Sequence, residues 1–183
     1  FLKLGSPIAS AQFSNSITST TNRPKLFPLW DDLALGSIGG GGSISVLTTG
    51  TAPDRIYKIQ WFLTSPRSTG GNANSTFQCW LYETSNNIEF RYGNGGNPGS
   101  SSLGINSIAA NATNFQSITA SAHTASTTTA NNSNATWPGN GRYYLFTPPP
   151  VCSGTPSPGN TVASVNTACS GVNFNLSLQN QTV

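Results

Sequence analysis

The stretch FQCWLYETSNNIEFRYG, residues 77–93, decides the fold. Aromatic and aliphatic residues alternate with polar ones in two short runs, and Asn86 and Asn87 stand between the runs. Asn tolerates the positive φ of a tight turn, so the pattern predicts a two-residue turn and an antiparallel hairpin. In the register that this turn sets, Glu83 lies opposite Phe90.

Successive residues of a strand point to opposite sides, so the hairpin divides its side chains between two faces. The predicted core face carries Phe77, Cys79, Leu81, Ile88, Phe90 and Tyr92. The other face carries Gln78, Trp80, Tyr82, Glu89 and Arg91. An aromatic pair opposite the core, Trp80 and Tyr82 beside Arg91, is suited to stacking on sugar rings or to contact with a protein partner. The alternative is that a second sheet or a loop covers the pair.

The rest of the chain repeats this β-type pattern, and no stretch shows the apolar spacing of an amphipathic helix. Short runs rich in Val, Ile, Phe, Tyr, Trp and Thr are separated by Gly, Pro and Asn. They predict strands at residues 1–4, 25–30, 43–49, 55–63, 77–83, 87–92, 103–109, 114–119 and 142–147. Nine short strands indicate an all-β, antiparallel β-sandwich of the jelly-roll or Ig-like kind.

Composition divides the chain into three parts. Residues 1–147 form the predicted sandwich, with a low-complexity stretch at 121–141 that predicts a long surface loop or a disordered excursion. Residues 148–161 are rich in Pro and predict a stiff linker. Residues 162–183 alternate apolar and polar side chains and predict a short second β segment, either the opening strands of an Ig-like domain or donor strands.

Charge and polarity restrict the class of protein. Charged residues make up 7% of the chain, whereas 47 residues are Ser or Thr and 20 are Asn; an ordinary soluble domain has about 25% charged residues. The net charge of +3 is spread without a cluster, which argues against a nucleic-acid partner. No apolar run approaches the roughly 20 residues that span a bilayer, so no membrane insertion is expected. The composition is typical of an extracellular or cell-surface protein.

Three cysteines fit that location. Cys152 and Cys169 lie in loop-like surroundings and predict a disulfide, which would stabilise the fold by about 3 kcal/mol. The alternative is a pair of free thiols in a reducing compartment. Cys79 lies in a strand-like run and is predicted to be a small buried side chain.

The residue types needed for catalysis do not form a recognisable set. Glu83 and Glu89 point to opposite sides of the predicted hairpin, so they cannot act as a general acid and base pair. Asp31 and Asp32 are weak candidates for Ca²⁺ ligands, since the sequence lacks spaced acidic residues; an ordinary loop cap is the alternative. His123, the only histidine, has no nearby acid or Cys. The sequence therefore predicts no enzyme, no metal and no cofactor.

Three stretches together carry a family resemblance: NRPKLFPLWDDL, APDRIYKIQW and STFQCWLYETSNNIEFRYG. They resemble an extracellular β-sandwich module, distantly similar to nidogen-like domains, that recurs in large secreted and surface proteins of Bacteroidota. The resemblance covers about residues 1–146. The stretch VCSGTPSPGNTVASVNTACSGVNFNLSLQN resembles the start of an Ig-like repeat. The resemblance implies an adhesin-like protein exported by the type IX secretion system and implies no established catalytic residues.

Modules of this family begin several strands before the segment that matches FLKLG, so the sandwich is expected to be N-terminally incomplete. Four alternating residues are candidates for a donor strand that completes a neighbouring sheet: Val172, Phe174, Leu176 and Leu178. We therefore expect a noncatalytic structural or adhesive module whose partners are other copies or neighbouring domains of the same protein. The alternatives are a filament subunit assembled by strand exchange and a carbohydrate-binding module that contacts surface glycans.

Overall fold

A computed structural model gives the structure of residues 1–35, 41–69, 71–109, 113–149, 161–163 and 176–178. The chain divides into two compact units, Phe1–Pro148 and Pro149–Val183. The first unit contains the strands β1 (Leu2–Lys3), β2 (Lys25–Trp30), β3 (Ser43–Thr49), β4 (Ile56–Leu63), β5 (Ser75–Tyr82), β6 (Ile88–Tyr92), β7 (Ser102–Asn106), β8 (Phe115–Thr119), β9 (Thr124–Ser126) and β10 (Tyr143–Phe146). The second unit contains β11 (Thr161–Ala163) and β12 (Leu176–Leu178), which pair antiparallel.

The strands of the first unit form two antiparallel sheets. The first sheet has the order β1-β2-β7-β8-β9, and the second has the order β10-β6-β5-β4-β3. The only helical element among the described residues is a single 3₁₀ turn, Arg67–Thr69. The predicted all-β sandwich is confirmed, and all nine predicted strands are present with ends shifted by a few residues.

The main core consists of apolar side chains from both sheets, among them Leu26, Leu29, Phe77, Phe90 and Leu103. One hydrogen bond also joins the sheets: the buried Tyr92 hydroxyl on β6 donates to the Pro28 carbonyl of β2 at 2.6 Å. Pro28 lies where the register between β2 and β7 shifts, since Phe27 pairs with Gly104 but Trp30 pairs with Ser102. The irregularity thus coincides with the point at which the sheets are tied together.

Strand β2 is buried on both sides. A shift of one residue places Phe27 and Trp30 on one face and Leu26 and Leu29 on the other, because a bulge changes the alternation of side chains. Phe27 and Trp30 belong to a second apolar cluster with Ile17 and Phe115. The segment that precedes β2 covers this cluster.

Hydrogen bonds fasten that covering segment to the first sheet. The Trp30 indole donates to the Gln12 carbonyl at 3.1 Å, and the Asn106 amide donates to the Ile17 carbonyl at 3.1 Å. Gly104 in β7 has φ of +141°, and a Cβ there would lie 2.0 Å from the Gln116 carbonyl oxygen. Only glycine fits this position, which lets β7 pack closely between β2 and β8.

The predicted two-residue turn at Asn86 and Asn87 is wrong. Leu81 pairs with Ile88, and the Tyr82 amide donates to the Asn87 carbonyl at 3.0 Å, so residues 83–86 form the connection. Hydrogen bonds hold this longer connection in place: the Glu83 amide donates to the Arg55 carbonyl at 2.9 Å, and the Thr84 hydroxyl donates to the Pro53 carbonyl at 2.5 Å. The register differs from the prediction by four residues, an even number, so every side chain remains on its predicted face.

The low-complexity stretch at 121–141 is ordered rather than a disordered excursion. It contributes β9 to the first sheet and buries Trp137. The buried Asn134 donates to the carbonyls of Ser101 and Ile118 and accepts from the Ala120 amide at 2.8 Å. Asn side chains thus supply the hydrogen bonds that a regular strand would make, a role that hydrophobic periodicity does not reveal.

Candidate functional site

The outer face of the second sheet brings together side chains from three neighbouring strands. Trp80 of β5 lies between Lys58 of β4 and Glu89 of β6, and Gln78 lies between Gln60 and Arg91. We call this surface the Trp80 face, and it consists of Lys58, Gln60, Gln78, Trp80, Tyr82, Glu89 and Arg91. The core of the sandwich lies on the opposite side of the same sheet.

Trp80 is held in place by its neighbours on both sides. Its indole N–H donates to Gln78 Oε1 at 2.6 Å, and the Gln78 amide donates to Gln60 Oε1 at 2.7 Å. Lys58 Nζ lies 4.1 Å and Arg91 Cζ 3.8 Å from the ring centroid. Each such cation–π contact contributes about 0.5–1 kcal/mol at an exposed site. The indole is therefore fixed between two cations from flanking strands.

Glu89 organises the other half of the face. Its carboxylate is buried and accepts from the Tyr82 hydroxyl at 2.6 Å and from Arg91 Nε at 2.7 Å. Burial, followed by the hydrogen bond to Glu89, raises the pKa of Tyr82. The Trp80 and Tyr82 rings are 6.4 Å apart between centroids and tilted by 45°.

The structure thus brings together the three site residues that the sequence singled out, Trp80, Tyr82 and Arg91. Sequence reasoning missed Lys58 and Gln60, which join them from β4. The alternation in IYKIQW was the signal, because it places both residues on the face opposite Ile59 and Trp61. The side chains that shield Trp80 within the described part of the chain are Lys58 and Arg91, not those of a second sheet.

A cleft of about 390 Å³ adjoins the Trp80 face, lined in part by Gln78, Arg91, Arg142 and Tyr143. Tyr143 pairs with Arg91 and is 60% exposed. Arg142 follows Gly141, whose φ is +76° and whose amide donates to the Tyr92 carbonyl at 2.8 Å. This glycine turn fixes the backbone of Arg142 at the rim of the cleft.

Three further carboxylates have separate structural roles. Glu83 forms an ion pair with Arg55. The hydrogen bond from the Arg55 guanidinium lowers the pKa of Glu83 to about 2. Asp32 pairs with Arg67 at 3.4 Å. Asp31 accepts the Asp32 amide at 2.8 Å, and burial raises its pKa although backbone amides oppose the shift.

Glu83 pairs with Arg55 whereas Glu89 pairs with Arg91. Asp31 and Asp32 likewise have different partners. Within residues 1–35, 41–69, 71–109 and 113–149 and the two short strands beyond them, no group of three or more His, Cys, Asp or Glu side chains could hold a metal ion. His123 Nδ1 lies 3.0 Å from the Tyr144 hydroxyl.

Cys79 is fully buried, and burial raises the pKa of its thiol to about 12. Cys152 and Cys169 lie outside the described residues, so their disulfide stays a prediction. Of the donor-strand candidates, Val172 and Phe174 also lie outside them. Leu176 and Leu178 belong to β12, which pairs with β11 of the same chain, and strand exchange between copies stays a prediction.

The two five-stranded sheets define a β-sandwich module with one sheet face open for contact. The chain belongs to the NIDO-related family, which matches residues 1–148. The resemblance to nidogen-like domains is thereby confirmed, and the family indicates an extracellular domain. A comparison with curated proteins and with solved structures gives no significant match. In the part of the chain that the structure describes, no helix has the length and apolar character needed to cross a membrane.

Proposed function

We propose that the chain is a noncatalytic adhesive module of a secreted or cell-surface protein, and that it contacts its partners through the Trp80 face. The observation that carries this proposal is the fixed position of Trp80 between Lys58 and Arg91 on an outward sheet face. Trp, Tyr and Arg are the residues that most often dominate binding energy at interfaces.

The rigidity of the Trp80 face favours binding. Association costs free energy when rotamer-rich side chains become ordered, at about 0.5–1.5 kcal/mol each. Here hydrogen bonds already order Gln78, Glu89 and Arg91 in the free protein. Most of the free-energy cost of ordering these side chains therefore arises during folding and not on binding.

The absence of catalysis is part of the proposal, and the carboxylate environments support it. A general acid at neutral pH needs a pKa near the working pH. The hydrogen bond from Arg55 lowers the pKa of Glu83, away from neutral pH. Glu89 uses both of its oxygens in hydrogen bonds to Tyr82 and Arg91.

The biological setting that we propose follows from the sequence resemblance. The module belongs to an adhesin-like surface protein of Bacteroidota type that is exported by type IX secretion. Its partners are neighbouring domains or other copies of the same protein, and surface glycans. NIDO-related membership supports the extracellular part of this setting.

Carbohydrate binding is the second candidate function. It is favoured by one observation, the Trp80 and Tyr82 rings that lie side by side on the outward face. Aromatic faces suit the apolar faces of sugar rings, while the flanking polar groups suit sugar hydroxyls.

The test measures binding of the purified chain to a glycan array and to intact bacterial cells. Trp80→Ala is compared with Phe13→Ala, which removes an aromatic ring that is 73% exposed and lies outside the second sheet. We expect Trp80→Ala to abolish binding and Phe13→Ala to leave it unchanged, with thermal unfolding confirming that both variants fold. Equal binding by both variants would contradict a role for the Trp80 face. Hydrolysis of a polysaccharide or peptide that is lost in Glu83→Gln or Asp32→Asn would contradict the noncatalytic proposal.

A further inference from the structure

We infer that strand β3 is a second interaction surface, on which a second copy of this chain pairs its own β3 antiparallel about a two-fold axis. Within the described part of the chain, β3 lies at the end of the second sheet and pairs on one side only, with β4. The inference concerns this sheet edge and does not depend on a ligand of the Trp80 face.

The backbone of β3 is suited to pairing with another strand. An edge strand presents a row of unpaired N–H and C=O groups, and proteins protect such edges by short strands, charged residues, Pro or a bulge. Strand β3 has seven residues, SISVLTT, which include no charge and no Pro, and its register with β4 is regular throughout. The other edge strands of the first unit, β1, β9 and β10, have two, three and four residues.

The side chains of β3 are apolar on both faces and exposed on both. Val46 lies opposite Ile59, and Ile44 lies opposite Trp61, so both point to the core side of the sheet. Ile59 is buried, whereas Ile44 is 54% and Val46 59% exposed, because the sandwich does not cover its core side at this edge. Leu47 on the outward face is also 59% exposed. A partner strand would remove this apolar surface from water.

The composition of β3 makes a second copy a matching partner. Two identical edges without charges do not repel each other, and a two-fold axis lets one surface patch bind itself. In a pairing centred on Val46, the two Val46 side chains lie opposite each other, and Ile44 lies opposite Thr48 of the second copy. These side chains are all β-branched, a type that pairs well across antiparallel strands.

The size of the contact sets its strength. Seven paired residues give an edge about 24 Å long, and a contact along one strand is small compared with the roughly 1,200–2,000 Å² of a stable interface. We therefore expect a dimer that forms and dissociates with concentration. Residues opposite each other in an antiparallel pair point to the same side, so both Trp80 faces would lie on one side of a ten-stranded sheet.

The experiment measures the mass of the purified full chain by sedimentation velocity at concentrations from about 1 to about 500 µM. We expect the weight-average mass to rise from that of one chain towards that of two and to stop there, because the pairing uses up both edges.

Substitutions at the centre of β3 test the site. Val46→Lys or Val46→Glu places like charges opposite each other, so we expect either variant to dimerise at least about tenfold more weakly than the wild type. An equal mixture of the two variants should recover the dimer, because opposite charges then face each other. Leu145→Lys is the control, since Leu145 is 49% exposed on β10, at the opposite edge of the same sheet; it should dimerise like the wild type. Thermal unfolding checks that each variant folds.

A wild-type chain that stays monomeric over the whole range would overturn the inference. So would a Val46→Lys variant that dimerises as tightly as the wild type, or an equal loss in Leu145→Lys. Oligomers larger than a dimer, or a mixture that stays monomeric, would rule out the two-fold pairing of β3.

Discussion

A lysine buried in the first sheet makes the stability of this protein depend on pH. Lys25 is fully buried, with Nζ 4.3 Å from the Trp30 ring centroid, 5.3 Å from that of Phe1, and 3.1 Å from Gln12 Oε1. None of the ion pairs formed by the described residues includes it. Burial lowers the pKa of Lys25 from 10.5 to about 8, and the charge of Arg23 adds to the shift.

The direction of the pH effect follows from proton binding. Between pH 8 and 10.5 the unfolded chain holds the Lys25 proton while the folded protein releases it, so the free energy of unfolding rises with pH. The penalty for burying the charged amine is fully present below pH 8 and is relieved above it. With one pKa unit equal to about 1.36 kcal/mol, this group contributes an increase of about 1.4 kcal/mol between pH 7 and pH 9.

Urea unfolding at pH 7 and pH 9, followed by far-UV circular dichroism, measures this increase. Lys25→Met keeps the apolar volume and removes the amine, so we expect the variant to lack the Lys25 increment. Lys3→Met controls for lost positive charge, because Lys3 bonds at the surface to Ser6 and Pro7. Every other titrating group is common to the three proteins. The reasoning would be refuted if Lys25→Met gained as much stability as the wild type between the two pH values.

Three further predictions use the same fold. Tyr92→Phe removes the hydrogen bond between the sheets and leaves a buried carbonyl unpaired, so the free energy of urea unfolding should fall by about 1–3 kcal/mol, whereas Tyr143→Phe at the surface should change it little. Asn134→Ala removes donors and acceptors that tie residues 121–141 to two strands, and it should cost at least about 2 kcal/mol in the same assay. Alkylation under denaturing conditions without reductant should modify one cysteine by intact mass, since Cys152 and Cys169 are predicted to be bridged; three modified cysteines would contradict the bridge.

The sequence predicted the sandwich well because burial on one face leaves a clear alternation. Phe77, Cys79, Phe90 and Tyr92 are core residues as predicted. The prediction of which face each residue occupies did not depend on the turn, because an error of four residues in register leaves the alternation intact. The length of the connection could not be predicted, because its residues Glu83 and Thr84 bond to Arg55 and Pro53, which lie far away in the sequence.

The Trp80 face and residues 121–141 show what the alternation of apolar and polar residues cannot predict. Trp80 and Tyr82 are recognisable in one strand, but the cations beside Trp80 come from β4 and β6 and become neighbours only when the sheet forms. Likewise, Asn134 lies in a stretch whose composition is typical of a loop. Its structural role depends on buried carbonyls at Ser101 and Ile118, and no local pattern contains that information.

The double burial of β2 has a consequence for where this module can accept substitutions. With Phe27 and Trp30 covered on one side and Leu26 and Leu29 on the other, the strand has no surface on which a new specificity could arise. On the outward side of the second sheet, by contrast, a change at a position such as Trp80 or Lys58 does not disturb the packing between the sheets. We therefore expect substitutions in β2 to lower stability, and substitutions on the Trp80 face to leave the fold intact.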